Sequence, residues 1–332
     1  NDKDHNIYLV TSERNHDFAK IYLKDFIEDI IPINSKPNFL DLLTLFKRLL
    51  KIRFDYTIVL KPKYYNYWIS FFLFPTIKLG VQIKSDYKNK IKFRPVKLLS
   101  KILLNNFEII DYSNNYKNEI NIHHYEYYLN IFKKYILKSN IDFDMYSYFI
   151  PQINNNKYSI SRFLIKFKMK ITIIHVDEKW NRIEWANNNL TDLIINIIDR
   201  LSGIVVITEG TSPTKINENL KKELLLQETS IKRLKNSKKN KNIFYIHSPA
   251  IGEIISLISI SDLVIEPHGS LAHISSIFNK NIIDLTYPGY TNFLRKWKPL
   301  SIKSKQIEID DYKNTQHKII KTIDEFNDLN QI

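Results

Sequence analysis

Short aliphatic runs alternate with amphipathic stretches along this chain, in two successive series. In the first, "NIYLVTS" (6–12), "DIIPI" (29–33) and "DYTIVL" (55–60) are too short for helices and read as strands. "NHDFAKIYLKDF" and "FLDLLTLFKRLLKI" (39–52) lie between them and carry apolar residues at helical spacing, as does "HHYEYYLNIFKKYIL" (123–137). From about 138 to 168 the period decays through "SYFIPQINNNKYSISRF", whose proline and three consecutive asparagines mark a connection. The second series runs "KITIIHV" (170–176), the helical "EWANNNLTDLIINIIDRL" (184–201), "GIVVITEG" (203–210), "IFYIHS" (243–248), the helical "IGEIISLISIS" (251–261), the strand-like Leu263-Val264-Ile265 and "NIIDLTYPG" (281–289). Such succession predicts α/β architecture with parallel sheets. We expect two Rossmann-like domains, 1–150 and 169–311, joined by a linker at 151–168 and facing each other across a cleft. A last amphipathic helix, "NTQHKIIKTIDEFNDL" (314–329) within a terminal segment 312–332, is expected to return toward the first domain.

A length of 332 residues suits two domains, and 44% apolar with 25% charged residues describes a globular protein. The net charge of +14 points to an acidic partner: anionic lipid, nucleic acid or a phosphorylated substrate. Abundant Asn, Ile, Lys and Tyr would also follow from an AT-rich genome. The absence of cysteine excludes disulfides, thiolate metal sites and a cysteine nucleophile. No window reaches the roughly 18 apolar residues of a spanning helix. The nearest, "YWISFFLFPTIKLGV" (67–81), is broken by Pro75 and Lys78, and reads as core or as a surface resting on a membrane. Within the basic "KRLKNSKKNKN" (232–242), "KNSKKNKN" (235–242) reads as a solvated loop, with phosphate or lipid binding as the alternative.

Four turns carry candidate chemistry. In "IIHVDEKWNRIEW" a strand delivers Asp177, Glu178, Lys179 and Trp180 into a turn, where Lys179 could balance a phosphate or lie on the surface. In "VVITEGTSP" Gly210 permits a turn, and Glu209 or Thr211 could accept hydrogen bonds from a ribose. In "IHSPAIGEI" Ser248 and Pro249 look like a helix start. In "DLVIEPHGSLAH" one of only six glycines separates His268 from Ser270 at a strand-to-helix turn. Free amides at such a helix start attract anions, while Ser270 could instead serve as a plain cap.

Taken in order, these segments resemble the heptosyltransferase-like (family 9-like) bacterial glycosyltransferases of the GT-B class. Lys179-Trp180-Asn181 with Trp185 matches the family's "K-W/H-P" turn, and "VVITEGTSP" matches its "V-V-L-T-G-G-P" strand. His268-Gly269-Ser270-Leu271-Ala272-His273 matches "D-S/T-G-x-x-H", and "NIIDLTYPGYT" the strand that follows. "FDYTIVL", "KLGVQ" and "HHYEYYLNIF" stand in the family's order in the first half. Two departures stand out. His268 replaces an aspartate, with glycine and serine exchanged. The family's first strand and its "G-D-x-L" turn, which carries a catalytic aspartate, have no counterpart, so we expect a missing amino-terminal segment or a base elsewhere, with Glu13 and Asp17 as candidates.

The resemblance implies transfer of a sugar from a nucleotide-diphosphate donor to a surface glycan or lipopolysaccharide acceptor, inverting, without cofactor or metal. It implies donor binding by Lys179, Glu209, His268, Gly269, Ser270, Leu271 and His273. Lys61 and Lys63 could meet an anionic acceptor, and "KPKYYNYW" could stack a sugar or simply pack. The expected place is the cytoplasmic face of a bacterial inner membrane, as a peripheral protein on anionic lipid. The alternatives are a sugar-nucleotide epimerase of the same fold and a basic nucleic-acid-binding protein. No helix-turn-helix, zinc-finger or RNA-binding signature is present, so no specific nucleic acid is expected.

Overall fold

In the computed structural model the described residues are 6–84 (save 62), 102–111, 129, 132–137, 155–210, 215–289 (save 232, 233, 239 and 241) and 297–329 (save 302). The chain divides into two compact units, Asn1–Phe143 and Asp144–Ile332. Most of the 123–137 helix reading, and Thr211, lie outside the described residues.

The first unit alternates β1 (Tyr8–Ser12), α1 (Glu13–Leu23), β2 (Asp29–Ile33), α2 (Phe39–Leu49), β3 (Tyr56–Val59), α3 (Tyr64–Phe72), β4 (Ile77–Lys84) and β5 (Asn106–Asp111). β1 and β2 pair in parallel, and β3, β4 and β5 form a second parallel sheet. α2 starts at a reciprocal cap: Asp41 N donates to Asn38 Oδ1 and Asn38 N to Asp41 Oδ2, each at 2.9 Å. That satisfies two amides that would otherwise lack intrahelical partners. Its inner face, Leu45 and Leu49, packs with Ile31, Ile33, Tyr65 and Ile69. The 67–81 run is core on one side only. Tyr67, Ile69, Ser70 and Leu79 are buried, while Trp68, Phe72 and Phe74 are exposed.

In the second unit α4 (Ser159–Ile165) is followed by β6 (Ile171–Val176), α5 (Ala186–Ile198), β7 (Ile204–Glu209), α6 (Lys215–Glu223), β8 (Leu226–Glu228), β9 (Leu234–Ser237) and β10 (Ile243–Ile246). Then come α7 (Ile251–Ile260), β11 (Leu263–Pro267), α8 (Ser270–Ile277), β12 (Asn281–Thr286), β13 (Ser304–Glu308) and α9 (Tyr312–Leu329). The eight strands are ordered β13-β12-β11-β6-β7-β10-β9-β8. The six from β13 to β10 are parallel, and β9 and β8 extend them antiparallel. Numbered by chain order, the parallel strands give the doubly wound succession with its switch point between β6 and β11, where ligands bind outside the carboxyl ends.

β-branched residues dominate these strands because both faces of the sheet are covered. On one face Ile174, Ile207, Tyr245, Ile265 and Ile283 form a core with Leu190, Leu193, Ile194 and Ile197 of α5 and Ile319, Ile323 and Phe326 of α9. The last helix thus buries its apolar side within the second unit itself. On the opposite face Phe244 meets the rings of Phe163 and Phe167, and α4 is buried through Ile160 and Leu164. Residues 159–165, within the stretch read as a connection, therefore form a packed helix of this unit. The basic stretch contains β9, whose Leu234 and Ser237 are buried, so it is not simply a solvated loop.

Candidate functional site

The geometry at the switch point begins with the turn after β6. Asp177 Oδ1 accepts from Lys179 N at 3.0 Å, capping a 3-10 turn, Glu178–Arg182. Lys179 folds back on that cap, its Nζ 3.1 Å from Asp177 Oδ2. Two glycines clear the space around the pair. Gly210, past the end of β7, comes so close that a Cβ there would stand 2.8 Å from Asp177 Cβ. On the β11 side a Cβ at Gly269 would collide with Lys179 Nζ. Gly269 has φ −175°, extended backbone open to any residue, so its role is room and not a special angle. Gly269 precedes α8, so Ser270 is the first helical residue and not its cap. Likewise α7 is capped by Glu253, whose Oε2 accepts from Ala250 N at 2.8 Å, while Ser248 Oγ donates to Gly210 O.

Beneath these turns one level of the sheet is polar across five neighbouring strands. Gln306 on β13, Asp284 on β12, Glu266 on β11, His175 on β6 and Thr208 on β7 share one face. His268 Nδ1 lies 3.0 and 2.8 Å from the two Asp284 oxygens, and Gln306 Nε2 donates to Asp284 Oδ2 at 2.8 Å. His175 Nδ1 is 2.9 Å from Thr208 Oγ1. Burial lowers the His175 pKa to about 4 although Asp177 opposes it, so the ring is neutral near pH 7. Glu266 is fully buried, and neither of its oxygens has a hydrogen-bond partner among the described residues. Burial, then the charge of Asp284, raises its pKa well above the ordinary carboxyl value, and Lys179 only partly opposes them.

A second cluster surrounds Glu209, whose side chain is fully buried. His247 Nδ1 lies 2.5 Å from Glu209 Oε2, and Lys221 Nζ lies 3.2 Å from the same oxygen and 2.9 Å from Glu218 Oε1. Burial works against the Lys221 charge, but Glu218 and Glu209 outweigh it and raise its pKa.

Of the residues singled out in the sequence, Lys179, His268, Gly269 and Ser270 come together around the switch point. His273 joins them through its ring, 5.7 Å from that of His268 and nearly perpendicular to it. Leu271 is buried among the helix contacts. Glu209 is already engaged by His247 and Lys221. In the first unit Glu13 opens α1 and Asp17, one turn on, lies 3.6 Å from His16; both carboxylates are exposed. Lys61 is exposed, whereas Lys63 donates to Ser35 O at 3.1 Å and lies over the Tyr65 ring. Asp284, Glu266, Gln306, His175 and His247 were missed. For His175, Glu266 and Asp284 a signal was present: "IIHV", "VIEP" and "IIDL" each place a polar residue near the end of an aliphatic run. Among the described residues no three carboxylates or imidazoles are gathered as metal ligands.

No protein-family model and no curated protein sequence matches the chain. Solved structures do. The chain is similar to Escherichia coli ADP-heptose lipopolysaccharide heptosyltransferase II at TM-score 0.67 and 13% identity, over 99% of this chain and 92% of that one. The fold is GT-B. A family 9 glycosyltransferase from Veillonella parvula shares it at TM-score 0.65 and 14% identity, over 97% and 88% of the two chains. A UDP-GlcNAc 2-epimerase from Methanocaldococcus jannaschii is more distant, at TM-score 0.52 and 13% identity, over 96% and 84%. At these identities the likeness to GT-B proteins is one of fold, and it spans nearly the whole chain.

Proposed function

We propose that this GT-B chain is a glycosyltransferase that moves a sugar from a nucleotide-diphosphate donor to a surface glycan or lipid-linked acceptor. The observation that supports this most is the meeting of Lys179 with the start of α8 at the switch point, where the absence of a side chain at Gly269 leaves room for an ammonium beside the residue that precedes the helix. A cation beside a helix amino terminus suits a diphosphate.

In the reaction, the acceptor oxygen attacks the anomeric carbon as the bond to the diphosphate breaks. The electron pair leaves on the diphosphate and the acceptor's proton passes to a base, with inversion. Lys179, the α8 amides and the His268 imidazole stabilise the charge growing on the leaving group. Glu13 and Asp17 are the candidates for the base, and Lys61 for an anionic group of the acceptor. Glu209, held by Lys221 and His247, keeps His247 at the same carboxyl-end face for the nucleoside part of the donor. The protein works as a peripheral protein on an anionic membrane.

Purified protein incubated with a panel of nucleotide sugars and a glycolipid extract tests the reading. A new glycosidic bond with release of nucleoside diphosphate supports it. An isomerised free sugar nucleotide, with no transfer, selects the epimerase shared by the fold.

A further inference from the structure

Asp284 is the residue of the polar level whose partners are most fully defined. Its side chain is entirely buried, and its ion-pair partner among the described residues is His268. A carboxylate removed from water needs hydrogen bonds to both oxygens. Gln306 supplies one, from β13, and His268 Nδ1 approaches both. An ionised carboxylate only accepts, so Nδ1 must carry the ring's proton and Nε2 is left as the atom that gains or loses the second. The other groups around the ring do not replace this control. Burial favours the neutral form of Glu266 on β11, Lys179 and Asp177 are paired with each other at 3.1 Å, and His273 on α8 meets the ring edge to face.

We propose that Asp284, fixed by Gln306, is a positioning residue that holds the His268 proton on Nδ1 and leaves Nε2 to take up a proton when an anionic diphosphate binds beside it. The second half rests on the donor reading given above, while the first half does not. No bond to carbon changes in this step. One proton moves from solvent to Nε2, and the imidazolium then donates from Nε2 to a phosphate oxygen while Asp284 accepts from Nδ1.

Nitrogen-15 NMR of the full chain without ligand tests the first half, with the His268 signals assigned by their loss in His268→Ala. At a pH above which they no longer change, wild type should show the proton on Nδ1. In Asp284→Asn, Gln306 claims the remaining side-chain oxygen, the amide NH2 faces the ring, and the proton should move to Nε2. A role in packing alone would not move it. A wild-type ring protonated on Nε2 overturns the proposal, even should the variant fail to fold, and so does an unchanged tautomer in a folded Asp284→Asn. Calorimetry with inorganic pyrophosphate, in two buffers of different ionisation enthalpy, tests the second half. Wild type should take up about one proton per pyrophosphate at alkaline pH, and Asp284→Asn should take up none and bind roughly ten-fold more weakly. Binding by wild type without proton uptake overturns the second half. A wild-type ring protonated on Nδ1 in a protein that ignores pyrophosphate upholds the positioning role and overturns the diphosphate reading instead.

Discussion

Gly210 and Gly269 border the same turn, yet replacing them should have opposite consequences. At Gly269 an added methyl meets the far end of the Lys179 side chain, which can swing aside, and the backbone angle suits any residue. Gly269→Ala should therefore melt near wild type and lose pyrophosphate affinity, because the ammonium is pushed away from the start of α8. At Gly210 the methyl meets Asp177 Cβ at 2.8 Å and its Cα at 3.3 Å, next to backbone that cannot give. Overpacking of that kind typically costs about 1 to 3 kcal/mol, so Gly210→Ala should lower the melting temperature by several degrees. Calorimetric melting with pyrophosphate titration on both variants checks the pair. Lys179→Ala should match the Gly269 variant in binding, with a loss of about 1.5 to 3 kcal/mol for a charged partner.

Across strands, the polar level ties stability to pH through two buried groups of opposite sense. His175 titrates near pH 6.5 when unfolded and near 4 when folded, so the unfolded chain alone takes up its proton between these values. Its contribution is lost as pH falls from 6.5 toward 4. Glu266 keeps its proton in the fold well above 4.5, where the unfolded chain has released it, so stability falls as pH rises. Above pH 6.5 the first effect is complete. Glu266→Gln, which has no proton to lose, should gain on wild type in melting temperature as pH is raised above about 4.5, and a constant difference would count against a raised carboxyl pKa.

The same strands show what the sequence made legible. β2 is read with its observed bounds, β6, β7, β10 and β11 to within a residue or two and β12 to within three, because interior strands need unbroken aliphatic runs. β8, β9 and β13 escaped because strands at or near a margin tolerate polar residues, and "LKNS" and "SKQIE" carry no run at all. The turn residues at the switch point were legible because a strand, a glycine and a helix leave a pattern along the chain. The Asp284–His268–Gln306 contact was not, since residues 16 and 22 apart meet only once the register is known.

For the whole molecule, the excess of 14 positive charges and the exposed Phe39, Leu43, Trp68, Phe72 and Phe74 of the first unit bear on where it works. Among the described residues no helix is long and apolar enough to cross a membrane. Each lysine or arginine near an anionic surface contributes about 1 kcal/mol, an attraction that salt screens. The protein should sediment with anionic vesicles at low salt and leave them as salt is raised, and Trp68→Ser should weaken the retention that survives salt. Equal binding to neutral vesicles would exclude the electrostatic part. The margins of the eight-stranded sheet bear on a different matter, its behaviour when crowded. β8 has three residues and ends on Glu228, and β13 exposes Lys305 and Glu308, with Lys305 drawn to Glu325 of α9 at 3.5 Å. Such charged borders offer a second copy a poor template for adding strands to this sheet.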